Sequence, residues 1–135
     1  MNIFFLHLDP RTCAQYHLDK HVVKMILESC QLLCTAHWVH PNGTYTPPYK
    51  ITHKNHQSAI WTRPSLSNYL WLCKLAIELC SEYTFRYGKI HKCQSIAEEL
   101  MQNYPEIQDI GFTTLALAMP DTYKSVDAVE SYRAY

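Results

Sequence analysis

The sequence predicts an all-α single domain spanning 1–135, with a long first helix packed against two or three further helices and joined by long irregular loops. Three observations predict it. Gly occurs only three times in 135 residues, which argues against a turn-rich all-β fold. Residues 11–37 run without Gly or Pro and carry apolar residues at helical spacing. The length suits one domain with one core, and a chain of this size buries enough surface to fold without a disulfide or a metal.

The elements follow in order. Residues 1–8 are a short apolar segment, expected to be extended. Asp9-Pro10 reads as a helix start, an acidic cap followed by Pro in the first turn. The first helix is expected from Arg11 to about His37. Leu18, Val22, Met25 and Leu32 form its apolar stripe, widened by Cys30 and Cys34. Pro41-Asn42-Gly43 and Pro47-Pro48 mark a loop of about fifteen residues, long enough that function is a common reason for its length. Ser58 to Thr62 is expected to form one helical turn. Arg63-Pro64-Ser65 restarts the chain into a helix from about Ser65 to Tyr87, which Gly88 ends. A third helix is expected from Lys92 to Asn103, irregular chain from Tyr104 to Pro120, and a short helix or ordered tail from Asp127 to Tyr135.

Composition limits the function classes. Hydrophobic residues make up 47% and charged residues 18%, a globular balance. Formal net charge is zero with His neutral, so no basic excess points to nucleic acid, and any such argument rests on how charge is distributed. The three Gly leave no phosphate loop. Six Cys stand at 13, 30, 34, 73, 80 and 93 without CxxC spacing, and read as small buried thiols. With no leader and no long apolar run, this implies a reducing, intracellular, cytoplasmic setting without membrane contact.

Three constellations can carry chemistry. His17, Lys20, His21, Lys24 and Glu28 recur at intervals of three, four and seven, and so form one polar ridge on a helix. Such a ridge is as often a solvated face with ordinary ion pairs. As a site, it presents a Lys amine able to attack a carbonyl or a sugar C1′ when desolvated or crowded by cations, and a Glu one turn away able to move a proton or stabilise positive charge. The second constellation is His53, Asn55, His56, Trp61, Arg63 and Tyr69. Arg grips phosphate and aromatic rings stack on bases, although Trp61 alone is better read as core. The third is the tail, where Tyr123, Lys124, Tyr132, Arg133 and Tyr135 alternate basic and aromatic groups. Zinc binding by His17 with His21, or by His53 with His56, is disfavoured because Lys20 and Lys24 repel a cation and HExxH is absent; neither a metal nor a cofactor is expected.

Asp19-Lys20-His21-Val22-Val23-Lys24 through Glu28, then Asn55-His56 ahead of Trp61 and Arg63, then Glu82-Tyr83 and Arg86-Tyr87-Gly88 form a pattern. It resembles the pyrimidine-dimer DNA glycosylase family, that of the bacteriophage endonuclease V and its bacterial and viral relatives. The likeness spans roughly Ile3 to Gly88, with a weaker echo at Ser131-Tyr132-Arg133-Ala134-Tyr135. It implies an all-α DNA-repair enzyme, an N-glycosylase with AP-lyase activity that acts on DNA with a flipped nucleotide. Two departures matter. The phage enzyme uses the α-amino group of a small residue uncovered by loss of the initiator Met, whereas Asn2 follows Met1 here. Where the family's helix carries its catalytic Glu, this chain has Lys24, with Glu28 one turn on.

The expected catalytic groups are therefore Lys24, Glu28, His21 and the Met1 amine. The expected nucleic-acid contacts are His17, Lys20, His53, Asn55, His56, Arg63, Lys124, Tyr132 and Arg133. The expected partner is duplex DNA, with no obligate protein partner. Two alternatives stand beside this: a binding module for nucleic acid or nucleotides that has lost the chemistry, and an enzyme acting on a free nucleotide.

Overall fold

The computed structural model describes residues 2–113. Five helices account for more than half of these residues, and no strand occurs among them. They are α1 (Pro10–Gln15), α2 (Asp19–Val39), α3 (Gln57–Thr62), α4 (Leu66–Tyr87) and α5 (Gln94–Gln102). The all-α class is thus as the sequence predicts. The chain centres on α2 and α4, which pack most extensively against each other; α1 lies on α4, α5 on α4 and α2, and α3 on α2 and α4.

The expected helix from Arg11 to His37 is two helices, and the long one is second in the chain. Asp9 caps α1, its carboxylate accepting the Thr12 N–H at 3.0 Å. The chain leaves the helix at Tyr16 and re-enters at Asp19, with Leu18 extended at φ −64°, ψ 153°. Nothing in local propensity demands this break. Arg86, from the far end of α4, supports it: its guanidinium donates to the Gln15 carbonyl at 3.0 Å, the His17 carbonyl at 2.8 Å and the Asp19 carboxylate at 2.9 Å. Carbonyls that a continuous helix would satisfy internally are satisfied here by a distant cation. Leu18, expected in the apolar stripe, is consequently exposed, while Val22, Met25 and Leu32 are buried as expected.

The other boundaries lie close to expectation. Ser65 precedes α4, and Gly88 ends it in the left-handed region at φ 67°, where a residue with a Cβ is strained. Residues 2–8 are irregular, with Ile3 and Phe5 fully buried. The loop after α2 is tied down: Trp38 Nε1 donates to the Tyr49 carbonyl at 2.8 Å, and Thr35 Oγ1 donates to the Thr52 carbonyl and accepts its N–H. Tyr69 forms a node between three helices. Its hydroxyl donates to the Leu100 carbonyl at 2.6 Å and therefore accepts from His37 Nε2 at 3.0 Å. None of the six cysteines is in a disulfide, and all six are buried. Among the described residues no helix is long and apolar enough to cross a membrane.

Candidate functional site

The first half of α2 carries the ridge. Asp19 begins the helix and Val22, Met25 and Ile26 face the core, which leaves Lys20, Val23 and Lys24 exposed and His21 half-buried. Glu28 is one turn further, where the helix begins to sink beneath its neighbours, and is 9% exposed. Lys24 Nζ lies 3.9 Å from Glu28 Oε2, with the lysine side chain 70% exposed. His21 stacks on Phe4 with ring centroids 4.7 Å apart. Burial, then the charges of Lys20 and Lys24, draw His21 below its ordinary pKa, against the opposite pull of Glu28. His21 is therefore a neutral imidazole near pH 7, able to accept a proton.

His17 does not belong to this ridge. It precedes α2, is buried, and has Nδ1 2.8 Å from the Cys13 carbonyl. Burial lowers its pKa to about 4. Its Nε2 is buried without a hydrogen-bond partner among the described residues. The structure thus places His17, expected as a nucleic-acid contact, as a buried group behind the α1–α2 break.

The second constellation divides in the same way. His53 and Asn55 are exposed, and His53 adopts φ 49°, the left-handed region that a non-glycine residue seldom enters. His56 caps α3, its Nδ1 accepting the Ser58 N–H at 3.1 Å. Trp61 and Tyr69 belong to the core. Arg63 follows α3 half-buried, with Nη1 buried and without a partner among the described residues, and burial lowers its pKa. The amino-terminal segment touches both constellations: Phe4 lies on His21, and Phe5 packs edge-on to Trp61 at 4.9 Å. Met1 and the tail residues Tyr123, Lys124, Tyr132, Arg133 and Tyr135 lie outside the described residues.

Beside the ridge opens a cleft of about 480 Å³, within the range of small-molecule sites. From α2, Val23 and Leu27 supply apolar wall, and Lys24, Glu28 and Gln31 supply polar groups; His91 and Lys92, from the turn between α4 and α5, close the other side. Neither His91 nor Lys92 figures among the sequence-derived candidates, because they stand more than sixty residues from the ridge and belong to no spaced motif of their own. Among the described residues no group of three or more His, Cys, Asp or Glu is placed to hold a metal ion.

Comparison with family models, with curated proteins and with solved structures finds no match for this chain.

Proposed function

We propose that this chain binds DNA and excises a damaged or modified pyrimidine, as an N-glycosylase with AP-lyase activity working through an imine. The observation that carries the reading is the amine–carboxylate pair of Lys24 and Glu28, 3.9 Å apart on the rim of the cleft, with neutral His21 one turn before it. The unprotonated amine attacks the sugar C1′ as the N-glycosidic bond breaks, and the base leaves with the bonding electrons and takes up a proton. Opening of the sugar ring then gives an imine, and loss of a C2′ proton expels the 3′ phosphate by β-elimination. Glu28 suits the carboxylate role of stabilising positive charge at C1′, and His21 suits the proton transfers. DNA laid on the ridge would exclude water from the exposed Lys24. The buried, unpartnered Nη1 of Arg63 also supports an anionic ligand, since such a donor costs about 1–3 kcal/mol until something accepts from it. The amine of Met1 is the rival nucleophile.

Sodium borohydride trapping tests this on duplexes that carry a cyclobutane dimer, an abasic site, uracil or hydroxymethyluracil. The expected result is a covalent adduct that mass mapping places on Lys24, abolished in the folded, DNA-binding Lys24→Ala chain. An adduct on Met1 transfers the nucleophile's role to the amino terminus. Wild-type rates in Lys24→Ala with no adduct on Lys24 end its catalytic role.

The 70% exposure of Lys24 and the zero net charge favour a second reading, a nucleic-acid or nucleotide-binding protein without the chemistry. Binding of DNA with no adduct on any duplex selects it. Turnover of a free nucleotide without DNA affinity selects an enzyme for small substrates.

A further inference from the structure

The turn between α4 and α5 brings a third party to the ridge. His91 is 91% buried, at 9% relative exposure, yet it lines the cleft. Its ring is held twice, by Tyr83 edge-on at a centroid distance of 5.0 Å and by the Cys93 N–H, which donates to Nδ1 at 3.0 Å. Because Nδ1 accepts, the proton of the neutral ring sits on Nε2. Two contacts thus fix the imidazole and leave Nε2 as its N–H donor. A donor on an oriented ring that lines a cleft suits a ligand acceptor. Lys92 adds an exposed ammonium beside it. Across the cleft Lys24 faces its own carboxylate partner Glu28, so the charge in excess over the ion pair is that of Lys92. Two residues beyond Lys92, α5 begins with no side-chain cap, and its dipole adds positive potential there. Val23 and Leu27 line the wall with apolar surface that suits a sugar or a ring.

We infer that the cleft between α2 and the α4–α5 turn binds a nucleoside phosphate, with the phosphate on His91 Nε2–H and the Lys92 ammonium and the sugar or base along Val23 and Leu27. The inference deepens the nucleotide reading above and rests on it for the kind of ligand; it does not depend on imine chemistry. The same phosphate chemistry is available from a DNA strand or from a free nucleotide.

The test uses the full chain with two probes, thymidine 5′-monophosphate and a short duplex with an abasic site. The imidazole ¹⁵N signals of His91 are followed during titration, and affinities are measured for wild type, Lys92→Glu, His91→Phe and His91→Gln. The expected result is a shift of the His91 Nε2 signal on adding ligand and a loss of about tenfold or more in affinity in Lys92→Glu, the scale of a charge-assisted contact. His91→Phe loses a similar factor, and His91→Gln, which keeps an N–H near the same place, recovers most of it. Should His91→Phe fail to fold, Lys92→Glu and His91→Gln with the ¹⁵N signal still decide. Loss for the duplex alone assigns the site to backbone phosphate, loss for the mononucleotide alone assigns it to a free nucleotide, and loss for both assigns it to either. Wild-type affinity for both probes in Lys92→Glu with an unmoved His91 signal overturns the inference. Borohydride trapping on Lys24, run in parallel, reports on the imine reading separately, so the two can fail independently.

Discussion

One helix, α2, contains two environments. Its first half alternates: Val22, Met25 and Ile26 are buried while Lys20, Val23 and Lys24 face solvent. In its second half Leu32, Leu33, Cys34, Thr35, Ala36 and His37 are all buried in succession. A helix hydrophobic on one stripe is a surface helix, and one covered on every side is a core helix. α2 changes from one to the other near Glu28, and beyond it the loop after α2 is tied to the helix at Thr35. The comparison shows why the ridge ends there. A carboxylate at that boundary is mostly screened from water but still reaches the cleft, whereas Lys20, one turn before Lys24, meets open solvent.

The two halves should therefore fail differently when altered, and the largest effect belongs to the covered half. Leu33→Ala is expected to lose about 2–5 kcal/mol in urea unfolding, since the packed site cannot close over the void. A change below about 1 kcal/mol would mean that the second half is not enclosed as described. Tyr69→Phe removes the hydroxyl that accepts from His37 and donates to Leu100, and is expected to cost about 1–3 kcal/mol by the same measurement.

Acid sharpens the contrast. His37 and His17 both have pKa values lowered to about 4 from an ordinary 6.5, chiefly by burial. Each folds as a neutral ring, so the unfolded chain binds the extra proton first. Stability is complete above about pH 6.5 and falls progressively as pH drops towards about 4, by on the order of 2 kcal/mol for each ring. Thermal unfolding between pH 7.5 and 4.5 measures this. The dependence should weaken in His37→Gln; an unchanged profile would mean that His37 is not buried neutral. The smallest effect is expected on the ridge, where Lys20→Ala and Lys24→Ala should alter stability by no more than about 0.5 kcal/mol. A larger loss in Lys24→Ala would make its pairing with Glu28 structural, and the ridge a framework feature.

What could be read from the chain alone follows the same division. α4 was legible from end to end because its signals are local: a Ser before it, a Gly after it and an apolar period between. The ridge from Lys20 to Glu28 was legible because helical spacing alone aligns it. The break before Asp19 was not, for its cause is Arg86, whose carbonyl partners at Gln15 and His17 are supplied by tertiary structure. The glutamate, arginine and glycine near the end of α4 entered the sequence reading as parts of a family resemblance. In the fold, Glu82 holds Arg86 at 2.9 Å, and together they fasten the α1–α2 turn, which gives that part of the pattern a structural role. The motif His53 to Arg63 was legible as a polar cluster, but the use of His56 as a helix cap depends on where α3 begins. His91 and Lys92 were invisible because only packing brings the α4–α5 turn to α2.

The Arg86 clamp also has a consequence in time. Its partners Asp19, His17 and Gln15 lie 67, 69 and 71 residues away along the chain, so the clamp closes only after the last turn of α4 has docked. Contacts between such remote segments form late, and removing them speeds unfolding more than it slows folding. In stopped-flow chevrons Arg86→Ala should raise the unfolding rate and leave the refolding limb nearly in place. The turn that aims α2, and with it the Lys24–Glu28 pair, would then be the last part of the molecule to assemble and the first to let go.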